Sequence, residues 1–227
     1  MDTILAMARA HLADALRDST DGLPDPGPRW GRLAAWSRDR IATFRSAEDA
    51  IHFAQSPLGH GGFEARLSGN ALVNAVVEQE RRLAADFPAL VPHFTSFREP
   101  EASEPASTMV YDGRLVSGPM YAHMRFYFTC ATRIAKLDQI CEIGGGFGAP
   151  ARLFLTNGYR RPRSYVIADL PESLFFAECL LRATLGNDRV RYVGAAMDAL
   201  PEGTAVNAIA CRLIWSGCSA RSTRSAR

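Results

Sequence analysis

Lysine is almost missing from this chain: Lys136 stands alone against 25 arginines in 227 residues, the bias of a GC-rich coding sequence. Also missing is any apolar run near the roughly 20 residues that span a bilayer. Residues 1–20 carry Asp2, Arg9, Asp14, Arg17 and Asp18 where a signal peptide would have its apolar stretch. A cytoplasmic protein with no membrane partner is expected. Cys130, Cys141, Cys179, Cys211 and Cys218 are odd in number and lack C-x-x-C spacing, so reduced, mostly buried thiols and no metal site are expected. No basic stripe interleaved with aromatics occurs, which removes nucleic acid as an expected partner. The last 16 residues hold no Asp or Glu but do hold Arg212, Arg221, Arg224 and Arg227; without them the formal charge of +2 becomes −2. No histidine follows His123.

What is present is enough apolar side chain for one good core and a smaller second one. Ile4, Leu5, Ala8, Leu12 and Leu16 share one helical face, predicting a packing helix over 1–18. DSTDGLPDPGPRWG (18–31) is too rich in Pro, Gly and Asp to continue it and reads as a linker or ordered loop. Ser46 followed by Glu48 and Asp49 reads as a capped helix start, the acids suiting the helix dipole. Leu72, Val73, Val76, Val77 and Leu83 predict an amphipathic helix over 70–86, interrupted by Pro88 and Pro92. REPEASEPAS (98–107) reads as an exposed connection. Ser117, with Pro119 in the first turn, caps a helix whose apolar face is Met120, Met124, Tyr127, Phe128, Ala131 and Ile134.

Chemistry concentrates in 138–193. DQICEIGGGFG (138–148) is a short apolar strand running into a glycine turn, and Ala149 to Leu155 has helical character. Glycine at 144, 146 and 148 allows positive φ and close approach of backbone N–H groups to a ligand. A second strand, SYVIADLP (164–171), ends in Asp169, a carboxylate placed to accept hydrogen bonds from ribose hydroxyls. A helix over 172–185 closed by Gly186 and a third strand over 189–193 complete a β-α-β-α-β alternation, the pattern of one doubly wound half. Gly144-x-Gly146-x-x-Ala149 also satisfies the dinucleotide fingerprint, which keeps an NAD-dependent oxidoreductase open. Glu142 before the first glycine and Gly148 after the second weigh against it.

CEIGGGFGAPARLFL followed by YVIADLPESLFFAECLL resembles the bacterial sugar O-methyltransferases, and is similar also to plant-type small-molecule O-methyltransferases. The resemblance is specific over 137–185 and softer on either side. It implies a class I methyltransferase with a Rossmann-like doubly wound sheet and S-adenosylmethionine as cofactor. Glu142, Gly144, Gly145, Gly146 and Gly148 would line its methionine part, Asp169 would hold its ribose and Leu170 would pack on adenine. In the plant-type pattern a Gly-Asp-Met reaches the adenine edge; in VGAAMDAL (193–200) Met197 matches, Ala196 stands at the Asp position and Asp198 is displaced. The family's general-base histidine has no counterpart after the fourth strand, sought at 207–218, where Ser216 would align. The catalytic base is thus not identified.

The resulting expectation is an α/β chain with a helical segment over 1–116, covering the acceptor pocket, and an incomplete nucleotide-binding domain over 117–227. Its tail, from about 211, has the composition of an out-of-frame reading. A truncated sheet of this kind would leave its fourth strand as an open edge. The expected acceptor is a hydroxyl of a sugar or other small molecule; a non-catalytic fragment that only binds a ligand or a partner is the third reading. His60 reads as a solvated loop residue, Met120 and Met124 as core, and Glu48 and Asp49 as helix-start charges. His52 and His93 have no partner pattern, and His123 and Arg125 read as packing as readily as substrate contacts.

Overall fold

A computed structural model describes residues 2–18, 27–56, 69–103, 108–157, 159–193 and 208–212; for Asp18, 27–30 and 208–212 the description stops at the backbone. Helices α1 (Thr3–Asp18), α2 (Gly27–Thr43) and α3 (Ala47–Gln55) come first. Asp2 starts α1 by accepting the Ile4 and Leu5 amides, and its other oxygen accepts the Ala47 amide at the start of α3. Ser46 and Asp49 form a reciprocal capping box on α3. Helix α2 corrects the reading of 18–31 as a loop: the helix begins at Gly27, and Pro28 in its first turn has no amide that the helix needs.

Helix α4 (Gly69–Asp86) buries Leu72, Val76 and Leu83, while Val73 (38%) and Val77 (43%) are exposed, so its buried stripe is narrower than the sequence pattern. A 3-10 helix over Pro88–Ser96 follows. The stretch expected to be an exposed connection is partly buried: Glu99 and Ser103 are inside. Strands β1 (Met109–Tyr111) and β2 (Arg114–Val116) then form a hairpin in which Asp112 and Gly113 both take positive φ, the twist-matched two-residue turn. Helix α5 (Gly118–Arg133) starts as expected, with the Ser117 hydroxyl accepting the Met120 amide.

After α5 come β3 (Gln139–Ile143), α6 (Ala149–Thr156), β4 (Ser164–Asp169), α7 (Pro171–Leu185), β5 (Val190–Val193) and β6 (Ala208–Arg212). All four strands are parallel, in the order β3-β4-β6-β5. The fold is therefore mixed α/β. A doubly wound half would run β5-β4-β3 without interruption; here β6 lies between β4 and β5. This corrects the expectation of an open fourth strand: β6 is hydrogen-bonded on both sides, and among the described strands the edges are β3 and β5. On β3, Cys141 and Ile143 (71%) are exposed, and Cys130 is half-buried, so of Cys130, Cys141 and Cys179 only the last is buried.

Helix α7 explains how the two ends of the chain share cores. It is apolar on nearly every side, and a helix of that kind must be covered on both faces. Leu174, Ala177, Leu181 and Leu185 join the cluster under the sheet with Phe94, Phe128, Phe154 and Ile167. Phe175, Phe176, Cys179 and Leu180 join Leu5, Ala8, Leu12, Ile41 and Ile51 of the first three helices. Helices α1 and α3 thus form a layer behind α7. No helix among the described residues is long and apolar enough to cross a membrane.

Candidate functional site

Strands β3 and β4 are neighbours, with Glu142 opposite Ile167 and Ile143 opposite Ala168. The glycine turn that follows β3 therefore rises beside Asp169 at the carboxyl end of β4. Its first link is the Gly144 amide donating to the Ala168 carbonyl, 2.8 Å. The Gly146 amide donates to Asp169 Oδ2 at 2.7 Å, and the Leu170 amide donates to Oδ1 at 2.7 Å. The carboxylate thus fixes the turn against the start of α7; with the Ser173 hydroxyl also donating to it, room is left for a further donor on one oxygen only.

At two of the glycines a side chain would crowd its neighbours. A Cβ at Gly145 would stand 2.7 Å from Ile167 Cγ2 and 2.8 Å from Glu142 Oε2. Gly148 has φ of +83° as the N-cap of α6, and a Cβ there would stand 3.2 Å from that of Ala177, so it also lets α6 close onto α7.

Glu142 lies under the turn, its Oε2 accepting the Tyr165 hydroxyl at 2.9 Å. Burial pushes its carboxyl above the usual carboxylate range; the Tyr165 hydrogen bond opposes this, and the nearby charge of Asp169 adds to it. Burial also pushes Asp169 up, against the Leu170 and Gly146 amides and the Ser173 hydroxyl. Neither carboxylate has a cationic partner among the described residues.

Of the sequence-predicted site residues, the structure brings together Glu142, Gly144, Gly145, Gly146, Gly148, Asp169 and the half-buried Leu170. Met197 lies outside the described residues, as do His60, Asp198, Ser216 and the tail beyond Arg212. Sequence reasoning missed Tyr165 and Ser173, the side chains that hold the two carboxylates. Nothing in strand periodicity singles out a tyrosine whose hydroxyl meets a carboxylate on the neighbouring strand.

It also missed a buried polar network behind the turn. The Arg152 amide donates to the Gly148 carbonyl at 2.9 Å. The Arg152 guanidinium donates to Glu99 Oε2 at 2.7 Å and to the Arg98 carbonyl at 2.6 Å. Glu99 Oε1 accepts the Ser117 hydroxyl at 2.6 Å. The glycine turn is thereby tied to the N-cap of α5. No group of three or more His, Cys, Asp or Glu side chains suited to a metal ion occurs among the described residues.

Compared with protein-family models, curated proteins and solved structures, the chain gives no match.

Proposed function

We propose that the chain binds S-adenosylmethionine at the carboxyl ends of β3 and β4 and transfers its methyl group to a hydroxyl of a sugar or other small molecule. The observation that supports this most is the placement of Asp169, bonded to the Gly146 amide, with Glu142 beneath the same turn. Two carboxylates without a cation suit a ligand that brings hydroxyl donors and positive charge, such as a ribose together with an ammonium and a sulfonium. They disfavour a pyrophosphate, whose charge would face theirs across a partly desolvated gap.

The resemblance assigns the roles. Asp169 holds the ribose hydroxyls, Glu142 and the glycine turn face the methionine part, and Leu170 packs against adenine. Bound there, the cofactor supplies an activated methyl group. The protein's part is to set the acceptor in line with it, exclude water and remove the acceptor proton.

The glycine spacing also fits NAD, and calorimetric titration separates the readings. The intact chain is titrated with S-adenosylhomocysteine and, separately, with NAD, with Asp169→Asn as the control. Saturable binding of S-adenosylhomocysteine, weakened about tenfold or more by the substitution, is expected for the loss of a charged hydrogen-bond acceptor. Binding of NAD in its place transfers the site to an oxidoreductase, and binding of neither by a folded sample leaves a chain without a working cofactor site.

A further inference from the structure

Tyr165 is fully buried, and the one polar atom of its side chain meets a carboxylate. Near the start of β4 it stands opposite Ile140, and because side chains alternate along β3, Ile140 and Glu142 share the face on which the tyrosine ring lies. The ring packs on Phe154 of α6, centroids 5.6 Å apart, and its hydroxyl donates to Glu142 Oε2 at 2.9 Å. That same oxygen lies 2.8 Å from the place a Cβ on Gly145 would take. One carboxylate oxygen is thus held between the tyrosine and the glycine turn. The other, Oε1, has no hydrogen-bond donor among the described residues, on a side chain that is only half-buried.

The titratable groups around the pair are Asp169, beside Glu142, and Cys130 and Cys141, beside Tyr165. Burial and the facing carboxylate push the Tyr165 hydroxyl up, so it stays a donor throughout the range in which Glu142 titrates. Burial pushes Glu142 up as well, toward the neutral form that attracts no cation. The tyrosine hydrogen bond opposes this by favouring the carboxylate.

We propose that Tyr165 is the positioning residue for Glu142: its hydroxyl holds Oε2 under the glycine turn and leaves Oε1 for the ammonium of the ligand's methionine part. The assignment rests on the methyltransferase reading of the site. Tyr165 touches no ligand; it sets the direction and the charge of the group that does.

The test titrates the intact chain with S-adenosylhomocysteine and with methylthioadenosine, which keeps the adenine, ribose and thioether but lacks the amino-acid end. The parent should prefer S-adenosylhomocysteine. Tyr165→Phe should weaken that ligand about tenfold while methylthioadenosine stays within about twofold of its parent affinity. As pH falls, protonation of Glu142 erodes the preference, and in the variant the loss should come at higher pH, because the bond that favours the carboxylate is gone. Asp169 serves both ligands through the ribose, so its titration cancels from the ratio of affinities. Glu142→Gln should cost at least as much of the preference, and adding Tyr165→Phe to it should change the ratio no further. Equal affinity of the parent for both ligands overturns the proposal while sparing the cofactor site. So does a Tyr165→Phe variant that fails to fold, weakens both ligands alike, leaves the pH profile unmoved or adds to Glu142→Gln. If the parent binds neither ligand, the cofactor reading falls, and this assignment with it.

Discussion

Glu99 and Arg152 are 7% and 3% exposed, come from segments 53 residues apart and meet at 2.7 Å. Replacing one partner strands a charge with no route to water, and breaking a buried pair in this way costs about 3–5 kcal/mol. For a chain of this size each kcal/mol lowers the melting temperature by about 2–4 °C. Arg152→Met and Glu99→Gln are therefore each expected to lower it by roughly 6–20 °C. The double variant leaves no uncompensated charge, so its loss should be well below the sum of the two. Denaturant unfolding of the parent, the two single variants and the double variant gives the coupling directly. A single substitution costing less than about 1 kcal/mol, or additive effects, would show that the network behind the glycine turn is not the rigid tie described above.

Gly145→Ala places a methyl carbon under 3 Å from both Ile167 and Glu142, an overpacking strain of about 1–3 kcal/mol. S-adenosylhomocysteine affinity should fall with stability; unchanged affinity would place the ligand away from the turn. Glu142→Gln should act in the opposite sense on stability. The folded-state pKa of Glu142 is raised, so the native chain takes up this proton more readily than the unfolded one. Its stabilising effect is present at low pH and is lost as pH rises from the ordinary carboxylate value through the raised one. The substitution should thus raise the melting temperature at neutral pH, and the gain should shrink as pH falls toward about 4. Equal losses at both pH values would refute the assigned burial.

The local chemistry of this chain is written in short signals. Ser46, Ser117 and Gly186 mark helix ends where the structure has them, and strand, glycine turn and helix succeed one another from Gln139 to Thr156. The β1–β2 hairpin was equally legible, because Asp112-Gly113 is a strong two-residue turn signal; it escapes a reading that looks for alternation, since each strand has three residues. Helix α2 was hidden by the Pro and Gly residues on which it starts. The strand order was not legible at all, because β6 pairs with β4 and β5 through backbone groups that every sequence has. The Glu99–Arg152 pair escaped for a similar reason: a charged residue in an acidic, proline-containing stretch reads as solvated until its distant partner is known.

Those pairs give the scarcity of lysine a structural meaning. The fully buried carboxylates among the described residues are Glu99, Glu172 and Glu178, and each meets an arginine: Arg152, Arg38 and Arg182. Glu80, half-buried, meets Arg114 and the Tyr121 hydroxyl. A guanidinium is always charged and satisfies a carboxylate through a planar fork, while its other donors reach carbonyls such as that of Arg98, so it suits buried pairing better than an ammonium does. Lys136 itself is 82% exposed. Against that pattern Glu142 and Asp169 stand out, being pushed up by burial and held by hydroxyls and amides with no cation among the described residues. Among the described residues arginine pairs the buried acids elsewhere, and two acids left without it at the end of adjacent strands are the contrast on which the proposed cofactor site rests.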